Sequence, residues 1–290
     1  MNDDERLATS VPNDQASATD TPADEGYSSP LLVLPGAVNS EGVDAGVALH
    51  YGGPFPEQRA LEDGRAFTDL SNADVVVVTG EDRLKLLNLL STQLVEGLRP
   101  GQSTELMTLS PTGHIENAVG LFDDGEAAWV FADVGFGQPL VDFLMSMRFM
   151  MRVEAQVRED LAILGGYGAA GAALASVARR GAGELPVVWE DPWPQTAVTS
   201  ATYGPADAEH PAFEQQRYLA VVPKEELLEA AQTLSDAGLH MAGMAAWEAT
   251  RVGHWRPRPA GEVVDRALPH ELDWLRTAVH LNKGCYRGQE

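Results

Sequence analysis

The stretch Leu106–Ala132, LMTLSPTGHIENAVGLFDDGEAAWVFA, decides how the chain is read. Leu106–Leu109, Ile115–Phe122 and Ala127–Ala132 have strand character. Between them lie Ser-Pro-Thr-Gly and Asp-Asp-Gly, residues that favour tight reversals. Strands joined by such short turns run antiparallel, so this part is expected to be a meander. Just upstream, Asp74–Thr79 carries four consecutive valines and stops at Gly80, which predicts a strand. Glu81–Leu94 then reads as a helix with Leu84, Leu87, Leu90 and Leu94 on one face. Downstream, a helix is expected over Gly137–Met150, with Leu140, Phe143, Leu144 and Met147 at helical spacing, followed by a strand over Val153–Val157.

The 290 residues allow one large domain or two, with a sizeable core. Twenty Lys and Arg against 43 Asp and Glu give a formal net charge of −23, which argues against nucleic acid or an anionic membrane as partner. The single cysteine excludes an internal disulfide framework and a Cys-rich zinc or iron–sulfur site within one subunit. Residues 1–30 are acidic, rich in Ser, Thr, Ala and Pro, and poor in large apolar side chains, so a disordered tail is expected there and a folded region over 31–290. The start of the chain lacks a basic, apolar leader, and a cytoplasmic protein is expected. The longest uncharged apolar run, Leu161–Ala178, is mostly Gly and Ala and reads as strand, turn and helix rather than a membrane span.

Inside that run, Gly166-Tyr167-Gly168-Ala169-Ala170-Gly171 has the form of a dinucleotide-binding turn, with Glu190 about twenty residues on. An NAD(P)-dependent oxidoreductase is therefore one alternative. Against it stand the mid-chain position and the antiparallel look of the preceding strands; a Gly-rich packing turn is the competing reading. A strand is expected over Tyr218–Val222, an amphipathic helix over Lys224–Ala237 closed by Gly238, a helix over Ala245–Val252, and a final helix over His270–Leu281. Arg251, His254, Trp255, Arg256 and Arg258 concentrate cations and an indole in an otherwise acidic chain. They form either an anion-binding group or a solvated Pro-rich loop. No Walker loop, H-E-x-x-H, G-x-S-x-G or EF-hand loop is present, and the seven histidines lack ligand spacing.

The most reactive group is the octapeptide Lys283-Gly284-Cys285-Tyr286-Arg287-Gly288-Gln289-Glu290. Positive charge from Lys283 and Arg287 would favour the Cys285 thiolate, and the two glycines leave room for close approach. A buried, inert cysteine is the competing reading.

These eight residues resemble the K-G-C-[FY]-x-G-Q-E signature of the YgfZ family, folate-binding proteins of iron–sulfur maintenance that are paralogues of the glycine cleavage T protein. Arg65–Ser71, Val78–Leu94, Leu106–Phe122 and Leu268–Leu272 extend the resemblance over most of the chain. It implies an α+β fold of mixed and antiparallel sheets with packed helices that wraps tetrahydrofolate in a central channel, and a C-terminal β-barrel beyond Glu290 that this sequence does not contain. It also implies Cys285 and Lys283 as the reactive residues, Glu116, Asn117, Arg251, Tyr286 and Arg287 at the folate site, and iron–sulfur client or assembly proteins as partners. Gly113-His114-Ile115-Glu116-Asn117 stands where the T protein has Gly-x-Ile-Asp-Asp, so one carboxylate becomes Glu and the other an amide. Arg251 matches the arginine of that family's Arg-Leu-Glu helix, with Gly253 in place of the glutamate. A folate-dependent aminomethyl or one-carbon transferase is the second alternative, and these losses count against it.

Overall fold

The computed structural model describes residues 26–263 and 266–289. Most of the tail expected over 1–30 lies outside them, as does Glu290 of the terminal octapeptide. Ordered packing begins by Ser29, which is buried and donates its hydroxyl to Asp69.

Among the described residues, twelve strands and eight α-helices follow. Strands β1 (Val38–Asn39) and β2 (Ala48–His50) form a small ribbon, and helix α1 (Pro54–Glu62) leads into β3 (Ala66–Asp69) and β4 (Asp74–Thr79). Helix α2 (Arg83–Leu90) precedes β5 (Gln102–Leu109), β6 (Ile115–Asp123) and β7 (Ala127–Ala132). Next come α3 (Gly137–Met147), β8 (Glu154–Val157), β9 (Leu161–Tyr167), α4 (Ala170–Val177), β10 (Val188–Glu190) and β11 (Arg217–Pro223). The chain closes with α5 (Leu227–Asp236), β12 (His240–Ala242), α6 (Met244–Gly253), α7 (Pro259–Glu262) and α8 (Leu275–Ala278).

Two five-stranded sheets result, ordered β10-β11-β9-β3-β12 and β5-β6-β7-β4-β8. Every pairing in them is antiparallel except β12 with β3. The expected meander is β5-β6-β7, with Leu106 opposite Val119 and Leu121 opposite Val130.

The valine run explains how the sheets stack. Side chains alternate across a strand, so Val75 and Val77 of β4 enter the core between the sheets, while Val76 and Val78 enter a second core under α2 and α3. Strand β9 behaves likewise, with Ile163 and Tyr167 between the sheets and Ala162 and Leu164 beneath α4 and α5. Both sheets are thus covered on both faces, which is why their strands read as continuous apolar runs. A fourth cluster joins Met107, Leu109 and Ile115 to Trp274, Ala278 and Val279, seating the last segment of the chain on one end of the meander.

Three helix expectations need correction. The one over Glu81–Leu94 ends at Leu90, where Ser91 turns extended; Leu86, Leu87 and Leu90 are buried and Leu94 is exposed. The one over Gly137–Met150 ends at Met147, and Phe149 takes a left-handed φ of 48° that no helix accommodates. The final helix over His270–Leu281 shrinks to a single turn at Leu275–Ala278: Asp273, at φ 52°, interrupts it, and its Oδ1 and Oδ2 are taken by the Thr202 hydroxyl and Arg276.

The dinucleotide reading is also overturned. Gly166 and Tyr167 are not in a turn but in β9, which lies between two antiparallel neighbours, whereas that motif belongs to a parallel sheet. The glycines exist for packing: a Cβ on Gly171 would sit 2.6 Å from the Tyr218 ring, and one on Gly166 3.0 Å from Ala170. Among the described residues, no helix is long and apolar enough to cross a membrane.

Candidate functional site

A half-open cavity of about 100 Å³ lies between the two sheets. Its walls come from both: Ala118, Gly120 and Phe131 from the meander sheet, Ile163, Trp189, Arg217 and Leu219 from the other. Met244, Trp247 and Arg251 of α6 and the segment Arg256–Pro259 close one side.

Two glycines create the aromatic lining. A Cβ on Gly120 would lie 2.6 Å from the Trp189 indole, and one on Gly165 would lie 2.6 Å from the Trp247 ring. Without side chains there, the Trp189 indole packs against β6 and the edge of the Trp247 ring against β9. Trp189 is further fixed by donating Nε1–H to the Thr104 carbonyl at 2.6 Å and by the Arg217 guanidinium, 5.5 Å from its ring centroid.

The polar side of the cavity is a buried ion-pair network. Arg256 donates Nε–H to Asp191 at 2.9 Å and Nη2–H to Glu105. Glu105 also accepts Trp274 Nε1–H at 3.0 Å and the Thr277 hydroxyl at 2.6 Å. Asp191 accepts Arg217 at 2.7 Å. Burial disfavours the Arg256 charge, but Asp191 and Glu105 outweigh it and hold its pKa above the ordinary arginine value. Arg258 forks onto Asp44 and Asp133, and Arg251 onto Glu248 and Glu262. The cationic stretch Arg251–Arg258 is therefore no solvated loop: each of its three arginines is paired, and all three line the cavity.

Two donors remain over. Among the cavity-lining residues described, Arg256 Nη1 and Arg217 Nε are the buried side-chain polar atoms without a partner. A buried unpaired donor is costly, and both belong to residues of the cavity wall. Around them, burial pushes the Tyr167 phenol up to about 12 and pulls His254 below its ordinary value, so both rings are neutral at pH 7.

Of the residues singled out from sequence, Arg251, Arg256 and Arg258 line this cavity, whereas Glu116, Asn117, Lys283, Cys285, Tyr286 and Arg287 do not. Glu116 shares its strand face with Ala118 and Gly120 but sits at the strand's end, where it takes a two-pronged contact from Arg287 at 2.9 and 3.0 Å. Asn117 points to the opposite face, with Val119 and Leu121; its Nδ2 donates to the Thr108 hydroxyl at 2.9 Å and its Oδ1 is buried and unpartnered.

The terminal loop is a separate feature, docked at the β5–β6 turn. Gly288 has φ 77°, and any side chain there would collide with the Ser110 carbonyl. Lys283 reaches the end of α2, donating Nζ–H to the carbonyls of Asn88, Ser91 and Gln93 at 2.5, 2.6 and 2.9 Å. Burial pulls its pKa down to about 8. Both cations flanking the cysteine in sequence therefore have other partners. Tyr286 packs half-buried against the fourth core cluster with Lys283 5.3 Å from its ring, and Cys285 stands exposed.

Sequence reading missed Arg217, Glu105, Asp191 and the three tryptophans Trp189, Trp247 and Trp274. Nothing local marks them, because their partners are distant in the chain: Glu105 lies 151 residues from Arg256 and 169 from Trp274. Gly120 and Gly165, each inside a strand, are the available signals of a close approach. Among the described residues, no group of three or more His, Cys, Asp or Glu is arranged to hold a metal.

No family model and no curated protein matches the chain. Among solved structures it is similar to the glycine cleavage system aminomethyltransferase T of Bartonella henselae, at 18% identity and a TM-score of 0.59, covering 77% of this chain and 60% of that one. Similarity to the heterotetrameric sarcosine oxidase of Corynebacterium (12% identity, TM-score 0.33, 67% of this chain and 92% of that one) is too slight to bear on the fold. The same holds for the regulatory subunit of aspartate kinase from Thermus thermophilus (15% identity, TM-score 0.28, 58% and 93%). The chain thus spans about 60% of the length of the aminomethyltransferase it matches. Two stacked sheets, one of them built on the β5-β6-β7 meander, give this chain the α+β fold of an aminomethyltransferase T protein.

Proposed function

We propose that the chain binds tetrahydrofolate in the cavity between its sheets and uses the loop bearing Cys285 to support assembly or repair of iron–sulfur clusters in client enzymes. The observation that carries the folate part is the cavity itself, walled by indoles and left with two unpaired arginine donors. Those residues fit the ligand. An indole-rich wall suits a flat bicyclic ring, and the orphaned N–H groups of Arg256 and Arg217 belong to the same wall. When bound, tetrahydrofolate supplies one-carbon chemistry. Arg251, expected at the folate site, lines the same cavity, with its guanidinium held by Glu248, Glu262 and the Arg256 carbonyl. Glu116, the carboxylate a transferase reading relies on, is held by Arg287 at the rim, which favours a maintenance role over aminomethyl transfer.

The iron–sulfur part rests on the octapeptide and on its placement. Lys283, Gly288 and the Arg287–Glu116 pair pin the loop at three points, and the thiol between them is left accessible to another protein.

A thermal-shift titration tests the first part. Tetrahydrofolate at one hundred times its dissociation constant stabilises the chain by about 2.7 kcal/mol, with no shift from NADH. Absence of any folate shift refutes the site. For the second part, Cys285→Ser is expected not to restore cluster-enzyme activity in a strain lacking the protein; full restoration removes the thiol from the mechanism.

A further inference from the structure

We infer that the carbonyls at the end of α2 form a monovalent-cation site that the chain fills with its own ammonium, so that Lys283 acts as a built-in ion positioning the Cys285 loop and not as an acid, base or nucleophile. Three oxygens converge on one nitrogen: the carbonyls of Asn88, Ser91 and Gln93 accept from Nζ at 2.5, 2.6 and 2.9 Å. An ammonium group has three N–H donors, and all three are used. None is left over for the thiol two residues on.

The cage exists because the backbone is diverted where α2 ends. Carbonyls in the last turn of a helix lack their intrahelical partners and carry the negative end of its dipole. The Asn88 carbonyl would receive the N–H of Thr92, but Thr92 donates to the Met107 carbonyl at 2.9 Å. In a continued helix the Ser91 carbonyl would receive the N–H of Val95, which goes instead to Asn88 Oδ1 at 3.1 Å. The Gln93 carbonyl follows two residues later. All three acceptors are neutral, and among the described residues no carboxylate contributes to the Lys283 pKa, which burial alone moves. Calcium and magnesium sites draw on carboxylates, whereas backbone carbonyls alone suit a monovalent ion.

Other ties already join this turn to the end of the chain. Thr92 Oγ1 and Gln93 Nε2 donate to the carbonyls of Ala278 and Thr277 at 2.5 and 2.8 Å, and the His280 N–H donates to the Thr92 carbonyl at 3.0 Å. These hold residues 277–280 without the lysine. Lys283 anchors the next stretch, so its loss frees the loop that carries the thiol and leaves the fold.

The experiment uses Lys283→Met in the full 290-residue chain. Methionine keeps the apolar stem but stops one atom short of Nζ, which vacates the position of the ion. Melting midpoints and the alkylation rate of Cys285, the only cysteine, are measured in potassium, ammonium and tetramethylammonium chloride at equal concentration. In the variant, potassium and ammonium are expected to raise the midpoint by about 2 °C or more over the bulky tetramethylammonium ion, and to return the alkylation rate toward the wild-type value. In the wild type the three salts are expected to give the same midpoint and rate. A variant indifferent to the salt, or a wild type that responds as the variant does, overturns the inference. A midpoint that rises with no return of the alkylation rate overturns the positioning role. If the variant folds only in potassium or ammonium chloride, the inference stands; if it folds in none of the three, a free ion cannot replace the ammonium and the inference fails.

Discussion

Replacing Arg256 by Met lowers folding stability by about 3–5 kcal/mol, because it removes the cation shared by two buried carboxylates, leaving Glu105 with none and Asp191 with Arg217 alone. Arg256 is 4% exposed and Glu105 and Asp191 are each 2% exposed, so solvent cannot substitute for the lost charge. The methionine fills much of the same volume, so the loss is electrostatic rather than a packing defect. Urea unfolding measures it as a lower midpoint with an unchanged slope. Glu105→Gln removes one of the stranded charges. Because the two residues share one network, the double variant is expected to lose less than the sum of the single losses, with a coupling of about 0.5–3 kcal/mol. Strict additivity would show that the pair is not energetically joined.

The second large effect is expected at Gly120. A Cβ there meets three atoms of the Trp189 indole at 2.6 to 3.0 Å, and the indole cannot retreat while it bonds the Thr104 carbonyl and carries Arg217 on its face. Gly120→Val therefore either distorts β6, at about 1–3 kcal/mol, or expels Trp189, at about 3–5 kcal/mol as for deletion of a core tryptophan. Tryptophan fluorescence separates the two, since expulsion moves one indole into water. Either way the cavity wall is rebuilt, and tetrahydrofolate binding is expected to fall together with stability. A variant of wild-type stability and affinity would show that Trp189 moves freely and that the wall is not fixed by the glycine.

Both effects arise at places where residues far apart in sequence meet, and this marks the boundary of what local pattern can reveal. The β5-β6-β7 meander was legible because antiparallel neighbours joined by Ser-Pro-Thr-Gly and Asp-Asp-Gly need nothing beyond their own turns to set register. The four valines of β4 were legible as a strand for a similar reason, although their burial on both faces required the second sheet to be known. Helix ends were less legible. The leucine spacing continues to Leu94, but the helix stops at Leu90 because Thr92 and Gln93 are drawn onto the carbonyls of Ala278 and Thr277 near the far end of the chain.

Chemistry divides the same way. The terminal octapeptide could be read as a tight loop around a cysteine because its glycines and cysteine are nearly contiguous, but that the thiol is exposed came from the structure. What Lys283 and Arg287 do there could not be read, since their partners belong to the end of α2 and to β6. The arginine cluster at 251–258 was visible as unusual, yet local sequence left a solvated loop and a binding group equally open. By itself the sequence determined the strands and the meander, because these depend on neighbouring residues. The tertiary structure alone decided that Arg256 and Arg217 stand in a cavity wall, each with one buried N–H unpaired, because a buried charge is defined by the distant carboxylates that do or do not reach it.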